Sequence, residues 1–158
     1  MSATKAHRSP GQALVEFVLV APIFFLLLFA IIDFGRYVYY VQILNNAARE
    51  GTRYAIVHGS NGFPSSGPGA DSSDPAGENV KNVVRKYLIG VIGTTTSITQ
   101  IDACWLHQPI GTTPRCGGQN IRGNPVEVTV NYQFRSVIPL VPIPPIQIQG
   151  ASTLVINN

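Results

Sequence analysis

The stretch "ALVEFVLVAPIFFLLLFAII", residues 13–32, is the most informative part of the sequence. From Phe17 to Ile32 it holds no charged side chain and no side-chain hydrogen-bonding group. As a helix it would extend about 30 Å, which matches the hydrocarbon core of a bilayer. Its aliphatic and aromatic residues favour insertion by about 6 kcal/mol in sum, whereas the acid Glu16 opposes it by roughly 3 kcal/mol. We predict a transmembrane helix with a carboxylate, Glu16, that insertion into the membrane does not require.

The segment before this run is short and basic. Lys5 and Arg8 precede the span, which predicts a cytoplasmic amino terminus by the positive-inside rule. The formal net charge of +3 comes from eleven basic and eight acidic residues; without residues 1–11 nine basic residues remain and the charge is +1, so we predict no nucleic-acid partner. A cleaved secretory signal is the alternative, but its apolar region would be about 7 to 15 residues long.

The helical pattern continues beyond the span. Apolar residues recur at steps of three, four and seven, without a proline between Ile23 and Phe63, which predicts one helix over residues 12–57, near 70 Å long. Its first half is apolar all round and its second half has a polar side, so one end should lie in lipid and the other against a domain. The recurring residues are Phe34, Tyr37, Val38, Val41, Leu44, Ala48 and Ala55.

A second region, residues 58–158, has a different pattern. Residues 58–77 are rich in Gly, Pro and Ser and predict a loop. The following segment "PAGENVKNVVRKYLIGVIG" predicts a shorter helix that ends near Gly90, with an apolar stripe of Val80, Val83, Val84, Tyr87 and Leu88. Three later segments alternate with a period of two or read as strands: "SITQIDACWLH", "PVEVTVNYQFRSV" and "IQIQGASTLVIN". Residues 137–146 contain four prolines, which favours an extended connector at a sheet edge. The fold class is therefore α+β, with a long helix packed on a small antiparallel sheet and one further helix.

Two cysteines, Cys104 and Cys116, are present. If this region lies outside the cytoplasm, we expect a disulfide, which would contribute roughly 3 kcal/mol on the chain-entropy model; two unpaired thiols are the alternative. His107 alone supplies too few further ligands for a zinc site.

No catalytic, metal or cofactor site is predicted. The histidines lie in no pattern that suggests nucleophilic catalysis, and "GTTPRCGGQNIRG" lacks the strand and helix that a nucleotide-binding motif requires. The acids Asp71, Asp74 and Glu78 lack the spacing of an EF-hand calcium loop.

The residues around the span resemble a known family. Gly11, followed after four residues by Glu16 and Phe17 and then by a long apolar helix, resembles the processing site of type IV pilin-like precursors. The closest resemblance is to the TadE-like minor pilins, or pseudopilins, of the tight-adherence (Flp) pilus. It covers "RSPGQALVEFVLVAPIFFLLLFAIIDFGRYVYYVQILNNAAREGTRYA" at one end and "VEVTVNYQFRSVIPL" with "IQGASTLVI" at the other. Residues 58–120 resemble nothing that we can name.

The resemblance implies a processing step and a set of partners. A membrane-embedded prepilin peptidase would cut between Gly11 and Gln12 on the cytoplasmic face, removing residues 1–11 as a leader. A glycine lets the backbone enter a protease cleft in extended form. Glu16 would then lie about 6 Å along the helix from the new α-amino group of Gln12, and could pair with the terminal ammonium of a neighbouring subunit. The implied partners are other pilins, inner-membrane Tad assembly proteins and lipid.

Several residues keep two interpretations. Glu16 sets the register between helices, or only lies at the headgroup level of an anchor. Pro22 lets the helix bend or melt during assembly, or makes an ordinary transmembrane kink. Asp33 and Arg36 form an interfacial pair, and Arg49, Glu50 and Arg53 form a solvated face or a contact with the pilus base; Tyr37, Tyr39 and Tyr40 suggest an aromatic belt where lipid ends.

The sequence thus predicts three parts: a leader at 1–11, a transmembrane and amphipathic helix at 12–57, and an extracytoplasmic pilin-like α+β domain at 58–158. The leading hypothesis is a non-enzymatic minor pilin in the bacterial inner membrane or in the pilus, with a role in adhesion. An uncleaved single-pass scaffold or adhesin is the second hypothesis, and a secreted enzyme is the third.

Overall fold

The computed structural model of the protein describes residues 10–60, 62–92, 97–106, 116–138 and 144–157. It contains two helices and three strands in the order α1, α2, β1, β2, β3. The predicted α+β class, with a long amino-terminal helix, a second helix and a small antiparallel sheet, is confirmed. The bounds are α1 Pro10–His58, α2 Glu78–Ile92, β1 Ile98–Trp105, β2 Pro125–Phe134 and β3 Ile146–Val155. The predicted leader before Pro10, residues 139–143 of the proline-rich connector, and His107 lie outside the described residues.

The three strands form one antiparallel sheet in the order β1-β2-β3. The central strand β2 carries the predicted alternation, because every second side chain of it enters the core. These core residues are Val126, Val128, Val130, Tyr132 and Phe134. Residues of β1 and β3 pair on either side of them, so that Phe134 lies opposite Ile146 and Val126 opposite Leu154.

The carboxyl-terminal half of α1 packs across this sheet through Leu44 and several small side chains. Leu44, Ala47, Ala48 and Ala55 are fully buried. The backbones approach closely: a Cβ at Gly150 of β3 would lie 2.4 Å from the backbone carbon of Leu44. Small residues therefore allow the helix and the sheet to bury a common core, since a bulkier side chain would hold them apart.

Helix α2 covers the same core from another side. Of the predicted apolar stripe, Val80, Val84 and Leu88 are buried, while Val83 and Tyr87 are half-buried. The helix ends at Ile92, two residues beyond the predicted Gly90. Its first turn is capped by Asp74, whose carboxylate accepts hydrogen bonds from the backbone N–H groups of Glu78 at 2.7 Å and Asn79 at 2.8 Å. Such bonds satisfy amide donors that have no partner within the helix.

The loop between the helices closes over Trp105 at the carboxyl-terminal end of β1. Gly67 and Gly77 have positive φ angles of 76° and 67°, and both come so close to the indole ring that an added Cβ would lie within 2.5 Å of it. Glycine is needed at these two positions for conformation and for space alike. The indole ring is buried and forms part of the main core.

Candidate functional site

The amino-terminal half of α1 is an exposed apolar cylinder. The helix is long and apolar enough to cross a membrane, and its most apolar window has no residue buried inside the protein. Large side chains point in every direction from it, and Phe17, for example, is 68% exposed. An exposed apolar surface of this extent needs a non-aqueous environment, which a bilayer supplies. The helix therefore has the properties of a membrane anchor.

The predicted processing residues lie at the start of this helix. Gly11 and Gln12 are in the first helical turn, directly after Pro10, which is a favourable residue at a helix start. A Cβ added at Gly11 would meet nothing within 4 Å, and the φ angle of Gly11 is not in the positive range. Neither packing nor backbone conformation therefore accounts for a glycine at this position.

Glu16 and Phe17 follow one turn later, and both are exposed. Among the described residues the Glu16 carboxylate has no hydrogen bond and no salt bridge. The span is otherwise without charge up to Ile32. An ionised carboxylate in apolar surroundings raises the free energy unless an opposite charge pairs with it. Glu16 is therefore the group on this surface that most needs a partner from another molecule.

Pro22 lies inside α1 and its side chain is exposed. The helix continues through it, although proline has no N–H to donate to the carbonyl of Val18. This is the one proline inside a described helix of the chain, and it marks a locally weakened turn in the middle of the apolar cylinder.

At the end of the cylinder the chain builds a polar junction around Asp33. The Arg36 guanidinium donates to the Asp33 carboxylate at 2.8 Å, which confirms the predicted pair. The same carboxylate accepts hydrogen bonds from the Ser136 hydroxyl and from the Val137 N–H, the latter at 2.9 Å. Asp33 is buried by this segment, 103 residues further along the chain.

These contacts change the acidity of Asp33. Burial alone raises the pKa of the carboxyl group, but the bonds from Ser136, Val137 and Arg36, together with the charge of Arg36, outweigh burial and hold the pKa below its ordinary value of 3.8. Asp33 is therefore ionised at neutral pH, and it fastens the segment after β2 to the helix. Sequence periodicity could not reveal this contact, because Ser136 and Val137 carry no pattern that refers to Asp33.

Aromatic rings surround this junction. Tyr40 stacks on Tyr132 with ring centres 4.9 Å apart, and Tyr37 meets Phe134 edge to face at 5.8 Å. The Arg36 guanidinium lies over the Phe134 ring at 5.4 Å. Of the three tyrosines that suggested an aromatic belt, two therefore pack on the sheet and Tyr39 is the more exposed one.

Other candidate residues have simpler roles. Cys104 and Cys116 form a disulfide, as expected. Arg53 and Glu50 form an exposed pair at 3.8 Å, so this part of α1 is a solvated face in the isolated chain. Asp74 caps α2, and across the described residues no group of three or more His, Cys, Asp or Glu side chains could hold a metal ion.

Comparison with known proteins concerns mainly the long helix. A family model described as TadE-like protein matches residues 11–53, so the match begins at Gly11 and ends within the last turns of α1. No curated protein and no solved structure matches the chain. The strands lie outside the matched residues, and their resemblance to the family stays a prediction.

The TadE-like family is a pilus component family, so the match supports a protein associated with the Tad pilus. The match includes Gly11, Glu16, Pro22 and Asp33. The resemblance of this chain to the TadE-like family is thereby confirmed for helix α1, whose first half is the exposed apolar cylinder and whose second half packs on the sheet.

Proposed function

We propose that this protein is a non-enzymatic minor pilin, or pseudopilin, of the Flp (tight-adherence) pilus. Its precursor is held in the bacterial inner membrane by residues 13–32, with the amino terminus in the cytoplasm and the α+β domain outside. A prepilin peptidase removes residues 1–11, and the mature subunit begins at Gln12. The subunit then assembles with other pilins and with the inner-membrane Tad proteins.

The observation that carries this proposal is the pair of residues Gly11 and Glu16 in the first two turns of α1. Gly11 has free space around its Cα, and Glu16 is an exposed carboxylate without a partner among the described residues. A single-pass anchor needs neither residue. A precursor that is cut after a glycine, and whose mature helices pack against one another, needs both.

The role proposed for Glu16 follows from charge. Cleavage creates a positive α-amino group on Gln12, about 6 Å along the helix from Glu16. In a bundle of such helices the carboxylate of one subunit can pair with the ammonium of the next, which removes two costly isolated charges together. The pair forms only at one axial offset, so it sets the register of the subunits.

The test is the mass and the first residue of the protein purified from host membranes. We expect wild-type protein to begin at Gln12 and the Gly11→Leu variant to remain a full-length precursor. Gly35→Leu is the matched control, because a Cβ at Gly35 also meets nothing within 4 Å and the residue lies on the same helix. Wild-type protein that begins at Met1, or a Gly11→Leu variant with the wild-type mature mass, would overturn the proposal.

A second measurement separates assembly from cleavage. Glu16→Ala should leave the mature mass and the membrane fraction unchanged but strongly reduce incorporation into pili, because the ammonium of the neighbouring subunit loses its partner. Asp71→Ala is the control, since Asp71 is an exposed acid of the domain outside the span. Normal piliation by the Glu16→Ala protein in a deletion strain would contradict the role of the carboxylate.

One feature favours a second candidate function, an uncleaved membrane-anchored scaffold or adhesin. The bond between Gly11 and Gln12 lies in the first turn of α1, and a protease must unwind that turn before it can cut. Helix ends fray readily, so this barrier is small. Full-length protein in a strain that contains the peptidase would favour this candidate.

A further inference from the structure

One end of the sheet lies level with the end of the membrane span. Asp33 follows Ile32 directly, and its carboxylate holds Ser136 and the Val137 N–H, the latter at 2.9 Å. One turn later Tyr37 contacts Phe134, the last residue of β2, at 5.8 Å. The end of β2 and the segment after it are therefore fixed beside residues 33–37 of α1.

The first residue of β3 lies at the same end, because Ile146 pairs with Phe134 in the antiparallel register. The opposite end of the sheet, where Val126 pairs with Leu154, is eight residues away along β3. At about 3.3 Å per residue the two ends are roughly 26 Å apart along the strand. The strand runs along α1 away from the span, because the Ser152 hydroxyl of β3 lies 3.0 Å from the hydroxyl of Thr52, well beyond Tyr37 on the helix. The Leu154 end therefore lies farther from the membrane than the Ile146 end.

The depth of the near end follows from the dimensions of a bilayer. The polar interfacial layer on each side of the hydrocarbon core is about 5 to 8 Å thick. Residues 33–37 rise by about 7 Å along a helix. If the hydrocarbon core ends near Ile32, everything bonded to residues 33–37 lies within the interfacial layer.

The side chains exposed at this end suit that layer. Val137 is 59% exposed and Ile146 is 45% exposed, next to the exposed prolines Pro144 and Pro145. Arg135 lies two residues before Val137, and the Arg36 guanidinium lies over the Phe134 ring at 5.4 Å, while the acid Asp33 is buried and paired. Apolar side chains beside basic ones are typical of protein surfaces that lie in a membrane interface.

We propose that this end of the domain, defined by Val137 and Ile146, rests in the interfacial layer of the membrane that holds the span, with both side chains in contact with lipid. The contacts of Asp33 fix the domain in that position, so the end of the sheet at Phe134 faces the bilayer surface. The inference rests on the membrane anchor of the proposed function, but not on cleavage or pilus assembly. It assigns to the membrane a second contact surface, beyond the helix.

Spin labels on single introduced cysteines test this in the full-length protein, reconstituted in vesicles of phosphatidylethanolamine and phosphatidylglycerol. Cys104 and Cys116 are joined to each other, so only the new thiol is labelled. Labels at Ile146→Cys and Val137→Cys report on the proposed contact. A label at Leu154→Cys is the matched control, because Leu154 lies on β3, an even number of residues from Ile146, and is 37% exposed. A label at Leu26→Cys reports on insertion of the span.

Oxygen, which concentrates in lipid, and a water-soluble nickel chelate are the two relaxation agents. We expect the ratio of oxygen to chelate accessibility to be several-fold higher at positions 146 and 137 than at position 154. If either label responds like the one at position 154 while the label at position 26 is in lipid, the inference is overturned and the anchor stands. A label at position 26 that is accessible to the chelate overturns both.

Discussion

The two halves of α1 use similar apolar residues for opposite purposes. Leu27 in the first half is 57% exposed, whereas Leu44 in the second half is fully buried against the sheet. Both lie on one continuous helix of 49 residues. Apolar character alone therefore does not say where a side chain of this helix is buried. The first half is suited to lipid, and the second half packs against the α+β domain.

What separates the halves is the size of the side chains and the spread of the apolar ones. The first half is covered by large residues in all directions, which suits a fluid, featureless solvent such as lipid. The second half buries a strip of small residues, Ala47, Ala48, Gly51 and Ala55, which lets another backbone approach. Large residues on that strip would hold the sheet away.

The largest difference between the halves should appear when one leucine in each is shortened to alanine. Leu44→Ala leaves a cavity in a filled core and should lower the free energy of unfolding of the domain by about 2 to 5 kcal/mol. Leu27→Ala should leave that free energy unchanged, since the side chain contacts no part of the domain. Urea unfolding in detergent micelles, followed by the fluorescence of the buried Trp105, measures both. Equal effects of the two changes would contradict the division of the helix.

A smaller and opposite pair of effects is expected at two glycines of the same helix. A Cβ at Gly51 would lie 2.6 Å from Cγ2 of Val84 and 3.1 Å from Cγ1 of Val128, whereas one at Gly35 meets nothing within 4 Å. Gly51→Ala should lower the unfolding free energy by about 1 to 3 kcal/mol through overpacking. Gly35→Ala should leave it unchanged or raise it by up to about 1 kcal/mol, because alanine favours the helix. A stabilised Gly51→Ala variant would show that this approach is looser than described.

The smallest effect sharpens the boundary between the halves. The pKa of Asp33 is lowered in the folded protein, so the stability that its contacts contribute is complete above the ordinary value of 3.8 and is lost as the pH falls through the lower folded value. Wild-type protein should therefore lose more stability than Asp33→Asn between pH 5 and the acid limit of folding, as the difference between their urea midpoints. Parallel pH profiles of the two proteins would contradict the contribution of this carboxylate.

The sequence predicted the fold class well because its periods are strong. The alternation in β2 corresponds to one buried face, and three of the five residues on the predicted α2 stripe, Val80, Val84 and Leu88, are buried. The stripe on α1 was less accurate: it included Phe34 and Val38, which are exposed, and it missed Ile43 and Ala47, which are buried. Periodicity finds a face, but it does not say where along the helix a partner begins.

The candidate site divides in the same way. Gly11, Glu16 and Pro22 could be proposed from sequence because a glycine and an acid next to a long apolar run, and a proline inside it, are features of the local sequence. The bonds from Ser136 and Val137 to Asp33 were not found, because they join segments about a hundred residues apart and depend on the register of β2 against α1.

By itself, the sequence determined a helix long and apolar enough to require lipid, with a glycine and an acid at its start that packing does not explain. These properties can be read from consecutive residues, without knowledge of which distant segments pack together. Only the tertiary structure decided which part of that helix is withdrawn into the domain, and which end of the sheet stands beside the span. That decision rests on the close backbone approach at Gly150 and on the buried carboxylate of Asp33, both of which exist only when distant segments meet.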